Sequence, residues 1–399
     1  MLNDKYRGPV IAYKGQYALL FLSFMLPVFL LSYYFNLTAK SLNNVFYIGL
    51  ALPSLIFALL NFKGAAFVFR KFWWLFLFIL VVSFLDILRV KELKHGIYLL
   101  LFFFSCLLID RGEEKLKYSL LPYSLVCVAI MLYVTTDWIW IWTHSGNWIR
   151  YSYWFDVYVH PGFFSMLICF GLIVFWAFFL GPFLENKFGF LAYIVGLGMF
   201  SLVVLLCTTI FQSRSALIGY LLFFIGLIIY KRAYWLGLII ITLLAIFTFG
   251  FGFDEVLANR GSSQRFIIWQ EVVWQLFYEC SAVLGCDLAP GYKILDKYYH
   301  PHNVYLAMFY RNGLLGGGLF CIFMAYFFYR GIKVKSVWLV VSLFGWGALI
   351  TENDSLFTTP EPFWVYFWLP VFMTILDSHK SQVQGYWRQL TARADAAAS

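Results

Sequence analysis

A chain of 399 residues that is 62% hydrophobic, 22% aromatic and only 12% charged is not an ordinary soluble domain, because such domains carry roughly a quarter charged residues. Its apolar runs are continuous and helix-length, which excludes a membrane β-barrel, whose strands alternate apolar and polar residues over about ten positions. The net charge of +9 sorts between the runs as a topology signal does, and says little about nucleic acid.

In chain order, about twelve apolar runs are predicted to be helices, at 17–35, 45–62, 72–88, 96–109, 120–142, 163–180, 190–211, 216–230, 235–253, 304–329, 337–350 and 363–377. The expected fold class is an all-α polytopic membrane protein with about twelve transmembrane helices and one large periplasmic loop containing an amphipathic helix. Helices one to nine fall in 1–253, the loop in 254–301, helices ten to twelve in 302–377 and a cytoplasmic tail in 378–399, whose last nine residues read as a loose end. Lys5, Arg7 and Lys14 precede the first run and no small-residue cleavage site follows it, so no cleavable leader is expected. No repeat or low-complexity tract appears.

With the N-terminus in the cytoplasm, most of the 29 basic residues fall in inner loops, among them Lys63, Arg70 and Lys71, Arg111, Lys115 and Lys117, and Arg330, Lys333 and Lys335. Both termini are then cytoplasmic. The outer loop at 351–362 holds Glu352, Asp354 and Glu361 and no base.

Basic residues that break this rule ask for a reason. Arg214 sits in Gln212-Ser213-Arg214-Ser215, a short hinge between two apolar runs. A guanidinium there is expensive without a partner. It is either a snorkelling or ion-paired arginine or part of an anion site, where its planar fork suits phosphate. The long outer loop carries Arg265, and apolar residues then recur at helical spacing as Phe266, Ile267, Trp269, Val273, Trp274 and Phe277. That pattern predicts an amphipathic helix on the membrane surface, with Ser262 or Ser263 as N-cap. An arginine at a helix N-terminus makes an anion cradle. The loop ends in Tyr298-Tyr299-His300-Pro301-His302-Asn303. His302 can take a proton near neutral pH, Asn303 can orient a partner, and nine residues later Gly313-Leu314-Leu315-Gly316 allows close approach to the backbone. A plain interfacial histidine followed by packing glycines would look the same.

Other features are weaker. Glu352-Asn353-Asp354 spaces two carboxylates as a divalent ion would like, or is a solvated acidic loop. Arg89, Lys91, Lys94 and His95 can grip acceptor phosphates or lipid headgroups. His144, Arg150, Asp156 and His160 lie among aromatics that read as an interfacial belt. Cys280 and Cys286 lie in the outer loop, in an oxidising space if the orientation holds; a disulfide there would close only a very small loop, and the sequence leaves their pairing open. A transporter would show paired broken helices and midplane acids, yet Asp86 is the only acid well inside a run.

The pattern resembles the O-antigen ligase family, related to O-antigen polymerases and bacterial protein O-glycosyltransferases. The family motif, His-(Asn/Ser/Gln), nine residues, Gly-x-x-Gly-(Thr/Val), is matched by His302-Asn303 and Gly313-Leu314-Leu315-Gly316, with Gly317 in place of Thr or Val. Ser213-Arg214 matches the family's hinge arginine, and Arg265 with Trp269 its loop arginine and aromatic. The resemblance covers the layout of nearly the whole chain and, by motif, its latter half. It implies an inverting glycosyltransferase of the bacterial inner membrane that needs no metal or other cofactor and works on the periplasmic side. Its donor is a glycan linked through pyrophosphate to undecaprenyl, its acceptor the lipid A-core of lipopolysaccharide, and its surroundings membrane lipids. In that reading His302, Arg265 and Arg214 are catalytic, with His302 as general base. Asn303, His300, Arg89, Lys91, Gly313 and Gly316 bind substrate. A polymerase, a protein O-oligosaccharyltransferase or a lipid-linked glycan transporter are the alternatives.

Overall fold

The computed structural model describes residues 8–35, 37–60, 62–90, 94–111, 113–155, 157–250, 264–286, 294–295, 298, 301–352 and 355–398. Among them the chain is mainly helical, including π-helical stretches at Tyr47–Ala51, Trp176–Leu180 and Trp364–Trp368, and its strands form one two-stranded antiparallel ribbon in which Tyr153 pairs with Tyr158 and Trp154 with Val157. Each predicted run is largely helical over its described residues. Six helices are long and apolar enough to cross a membrane: Ala39–Leu60, Lys115–Ser145, Pro161–Phe188, Phe190–Ile210, Arg214–Lys231 and Val304–Lys333. Gly64–Lys71 and Trp73–Leu85, bent by 80°, make a seventh if taken as one span. Length and composition therefore support six or seven crossings among the described residues, fewer than about twelve. Val337–Ala348 shows why the runs and the spans differ: its 12 residues reach only about 18 Å at about 1.5 Å per residue, against an apolar bilayer core of about 30 Å.

The tail also departs from expectation. Lys380–Ala398 is one helix and not a loose end. Its alanine-rich close, from Ala392 to Ala398, has high helix propensity, and upstream Tyr386 stacks on Phe67 with ring centroids 4.3 Å apart.

In lipid, helices associate by close packing more than by water exclusion. Two devices supply it here. Aromatic rings fill the interior, as where Phe78 stacks on Phe323 at 4.4 Å and Trp368 on Phe372 at 5.3 Å. Glycines bring backbones together: a Cβ on Gly347 would lie 2.8 Å from Gly219 Cα, so the Arg214–Lys231 and Val337–Ala348 helices touch main chain to main chain. That seam sets the start of the first helix beside the residues that follow the second. Ser215 Oγ accordingly meets Thr351 Oγ1 at 2.8 Å.

The Val304–Lys333 helix is broken at Gly313, whose φ of 61° and ψ of −165° leave the helical region. The break frees backbone groups that lipid cannot satisfy. A loop closed by the Cys280–Cys286 disulfide satisfies them instead. Leu314 and Leu315 donate to the carbonyls of Ala282 and Val283 at 2.8 and 3.1 Å, and Cys286 donates to the carbonyl of Tyr310 at 2.8 Å.

Candidate functional site

Ser213 is the N-cap of the Arg214–Lys231 helix, its Oγ accepting from the Ala216 amide, so Arg214 occupies the first helical position. Arg265 is likewise the first residue of the Arg265–Tyr278 helix. The predicted amphipathic helix thus exists, but its N-cap is Gln264, in the left-handed region with no side-chain capping bond; Ser262 and Ser263 lie outside the described residues. Ile268, Val272 and Leu276 give it a buried stripe, packed on Tyr310 of the broken helix. A third helix, Pro161–Phe175, begins at His160, whose Nδ1 accepts from the Phe163 amide at 3.3 Å.

These three helix starts converge. Arg150, Gly162, Ser213, Arg214, Ser215, Arg265 and Glu352 line one open cavity of about 400 Å³. Helix N-termini carry partial positive charge, and three guanidinium groups add to it. Glu352, the one carboxylate on the wall among the described residues, accepts from Ser215 Oγ at 3.0 Å and lies 3.7 Å from Arg265 Nη2. Burial draws the Arg265 pKa down, Glu352 pushes it back up, and the nearby charge of Arg214 lowers it again; the group stays cationic at any ordinary pH. Arg150 is held by its Nε donating to the carbonyl of Phe211 at 2.9 Å. Such a wall gathers three guanidinium groups and three helix starts, donors that suit a multiply charged anion.

His302 is not among the residues lining that cavity, but the chain on either side of it is tied to elements that build it. Trp269, one turn beyond Arg265, donates from Nε1 to the carbonyl of Pro301 at 2.9 Å. Val304 donates its amide to the carbonyl of Leu349 at 3.2 Å, just before Thr351 and Glu352. His302 itself is left-handed at φ 52°, as are Gln264 at 55° and Gln212 at 47°. Non-glycine residues seldom adopt that region, and where they do the strain often marks a functional site. All three precede or occupy the motif positions of the sequence.

The remaining sequence candidates fall differently. Asn303 is buried and caps the Val304–Lys333 helix, its Oδ1 accepting from the Leu306 amide at 3.0 Å. That bond commits the oxygen which was to orient a partner. Gly313 faces its own chain: a Cβ there would stand 2.2 Å from the Val283 carbonyl oxygen. At Gly316 an added Cβ would meet Asn312 Cβ at 2.2 Å. Both glycines thus shape the helix break. Arg89 ends the Trp73–Val90 helix with its side chain undescribed, while Lys91 and His300 lie outside the described residues, as do Asn353 and Asp354. Lys94 begins the next helix and is exposed.

Sequence reasoning missed two members of the cavity. Arg150 was placed in an aromatic belt and Glu352 in an acidic loop or a metal site. The available signals were Arg150's breach of the charge rule and the absence of bases around Glu352. The chain matches no family model, no curated protein and no solved structure.

Proposed function

We propose that the chain is a membrane glycosyltransferase of the O-antigen ligase type. It would pass a glycan from undecaprenyl pyrophosphate to a sugar hydroxyl of lipid A-core. The observation that carries this reading is the gathering of Arg150, Arg214 and Arg265, from three distant segments, with three helix N-termini around one cavity. A pyrophosphate is the natural anion for bidentate guanidinium groups.

In the proposed reaction the acceptor hydroxyl oxygen attacks the anomeric carbon from the face opposite the pyrophosphate. The bond from that carbon to the phosphate oxygen breaks, and its electron pair leaves with undecaprenyl pyrophosphate. The arginines stabilise the charge that grows there, a preorganised contribution of the oxyanion-hole kind. His302 accepts the hydroxyl proton as general base. Glu352 spaces and orients Arg265 and keeps the empty cage from excessive repulsion with Arg214.

In this reading the cavity faces the periplasm across the bacterial inner membrane and both termini are cytoplasmic, as the charge distribution favours. A Gly291→Cys protein labelled by an impermeant thiol reagent in outer-membrane-permeabilised cells supports that sidedness; labelling only after lysis overturns it. The activity is tested with purified protein, undecaprenyl-pyrophosphate-linked glycan and two competing acceptors, lipid A-core and a second lipid-linked repeat. Transfer to lipid A-core without any ion gradient supports the ligase reading. Exclusive transfer to the repeat makes the chain a polymerase. Loss of transfer with a chelator and recovery with magnesium would replace the arginine mechanism by a metal-dependent one.

A further inference from the structure

A second cavity, of about 360 Å³, opens beside the first and shares Arg150 with it. Its size lies near the lower end of the range of about 300–1,000 Å³ in which small ligands are held. One wall comes from the Lys115–Ser145 helix through Tyr133, Asp137 and Trp138, the other from the loop and ribbon through Tyr151, Tyr153 and Phe155. Its floor is rigid. Trp138 donates from Nε1 to the carbonyl of Ile149 at 3.0 Å, and Tyr151 donates its hydroxyl to Asp137 Oδ2 at 2.9 Å. The Tyr151 amide donates to the carbonyl of Ile210 at 3.1 Å, which anchors the loop three residues before Ser213.

The rim contrasts with that floor. Tyr153 and Phe155 present their rings at the surface, 61% and 67% exposed. Phe155 sits at the ribbon tip with φ at 47°, a conformation that a bulky residue adopts only where its surroundings impose it. Tyr133 meets Phe155 at 5.5 Å and Trp154 at 5.3 Å. A lipid-facing aromatic belt has no use for a carboxylate at its centre. A sugar ring uses both parts: its C–H face packs on aromatic faces, and its hydroxyls donate to a carboxylate, a charge-assisted bond stronger than a neutral one.

We propose that this cavity is a sugar subsite, holding the glycan of the pyrophosphate-linked donor while the arginine cavity holds its pyrophosphate. The assignment rests on the function proposed above, since Arg150 links the two only if the first cavity takes the phosphates. Asp137 and Phe155 are then specificity-determining residues outside the reacting centre.

The test compares two probes on full-length protein in nanodiscs: bare undecaprenyl pyrophosphate, and the pool of undecaprenyl-pyrophosphate glycans extracted from the cells that make the protein. Asp137→Asn keeps an acceptor for the Tyr151 hydroxyl, and Phe155→Ala removes an exposed ring, so neither threatens folding. Wild-type protein should bind the glycan-bearing lipids more tightly. Each variant should weaken that binding about tenfold, in the range of an interface anchor, and leave binding of the bare lipid unchanged. Variants that bind both probes like wild type, or weaken both equally, overturn the sugar subsite. An Arg214→Ala protein that binds both probes normally overturns the anion site instead, whatever the subsite variants do.

Discussion

At the start of the Val337–Ala348 helix, Ser336 donates to Asp377 Oδ2 at 2.6 Å, and a cavity of about 910 Å³ there is lined by Lys117, Lys335 and Lys380 facing Glu114 and Asp377. Beyond its other end, Thr351 and Glu352 face Arg150, Arg214 and Arg265. The lysine end closes on itself. Glu114 accepts from both Lys117 and Lys380, and those bonds hold its pKa down at about 2. The arginine end instead places its three guanidinium groups around helix starts. Lysine is a compact point charge that a flexible carboxylate can satisfy, whereas the guanidinium fork demands a planar or tetrahedral oxyanion. The same number of bases thus makes a brace at one end and, in the proposed function, a receptor at the other.

The sharpest way to break this comparison is at His302. His302→Ala should lower glycan transfer by about 10²–10⁴-fold, the usual worth of a general base, with donor-lipid binding retained, and the wild-type rate should fall towards acid as the base is protonated. A matching loss of donor binding would make His302 part of the receptor. Next come Arg214→Ala and Arg265→Ala, each expected to cost on the order of 10²–10³-fold in transfer. Lysine at either position should restore little, while Lys380→Ala at the opposite end should leave transfer near wild type. Full activity of the lysine proteins would erase the distinction between the two ends.

Stability should separate the ends as well. Gly313 has a conformation nearly restricted to glycine, so Gly313→Ala should destabilise the fold by about 1–3 kcal/mol, measured by thermal unfolding in detergent. At the lysine end, His379 is held neutral. Burial first, then the charges of Arg330 and Lys71, bring its pKa from 6.5 to about 4 against an opposing hydrogen bond with Gln382. The unfolded chain therefore binds a proton below about 6.5 that the folded chain refuses until about 4. Stability is complete above that window and declines as pH falls through it, on the order of 1–2 kcal/mol. His379→Gln should flatten the decline, and an unchanged profile would remove His379 as its cause. The smallest effect belongs to Glu114, whose depressed pKa contributes stability above about 4.5 that is lost as pH falls towards about 2. Because its partners are partly exposed, Glu114→Gln should cost less than about 1 kcal/mol at neutral pH and nothing measurable in strong acid.

The helices were legible because apolar runs need only local pattern, and every run became one. The number of crossings is not settled by counting runs, since a 12-residue helix such as Val337–Ala348 is shorter than the apolar core, and Gly64–Lys71 and Trp73–Leu85 make a span only together. Arg214 and Arg265 could be picked out by their breach of the charge rule, and both line one cavity. Arg150 and Glu352 were read as belt and acidic loop because the charge pattern flags them without naming a partner; Glu352 reaches Ser215 across helices joined at Gly219 and Gly347, and Arg150 is held by the distant Phe211 carbonyl. Asn303 and Gly313 carried a motif's signal, yet their own side chain and backbone are spent on capping and breaking a helix. A motif marks where the chain is constrained, and only the packing tells which atoms are left over for a ligand.

The loop docked on the Gly313 break limits how this architecture can be recombined. Tyr310, Leu314 and Leu315 receive from 282–286 the hydrogen bonds that a straight helix would supply internally. A chimera that grafted a foreign loop up to residue 303 would leave those groups unpaired inside the apolar layer. The smallest segment that can be inherited or swapped intact therefore runs from Arg265 through Gly316. In the proposed function, substrate preference would vary most readily at the exposed ribbon rings Tyr153 and Phe155, whereas Trp154 between them packs on Tyr133 and Phe164 of two neighbouring helices and is tied to the fold.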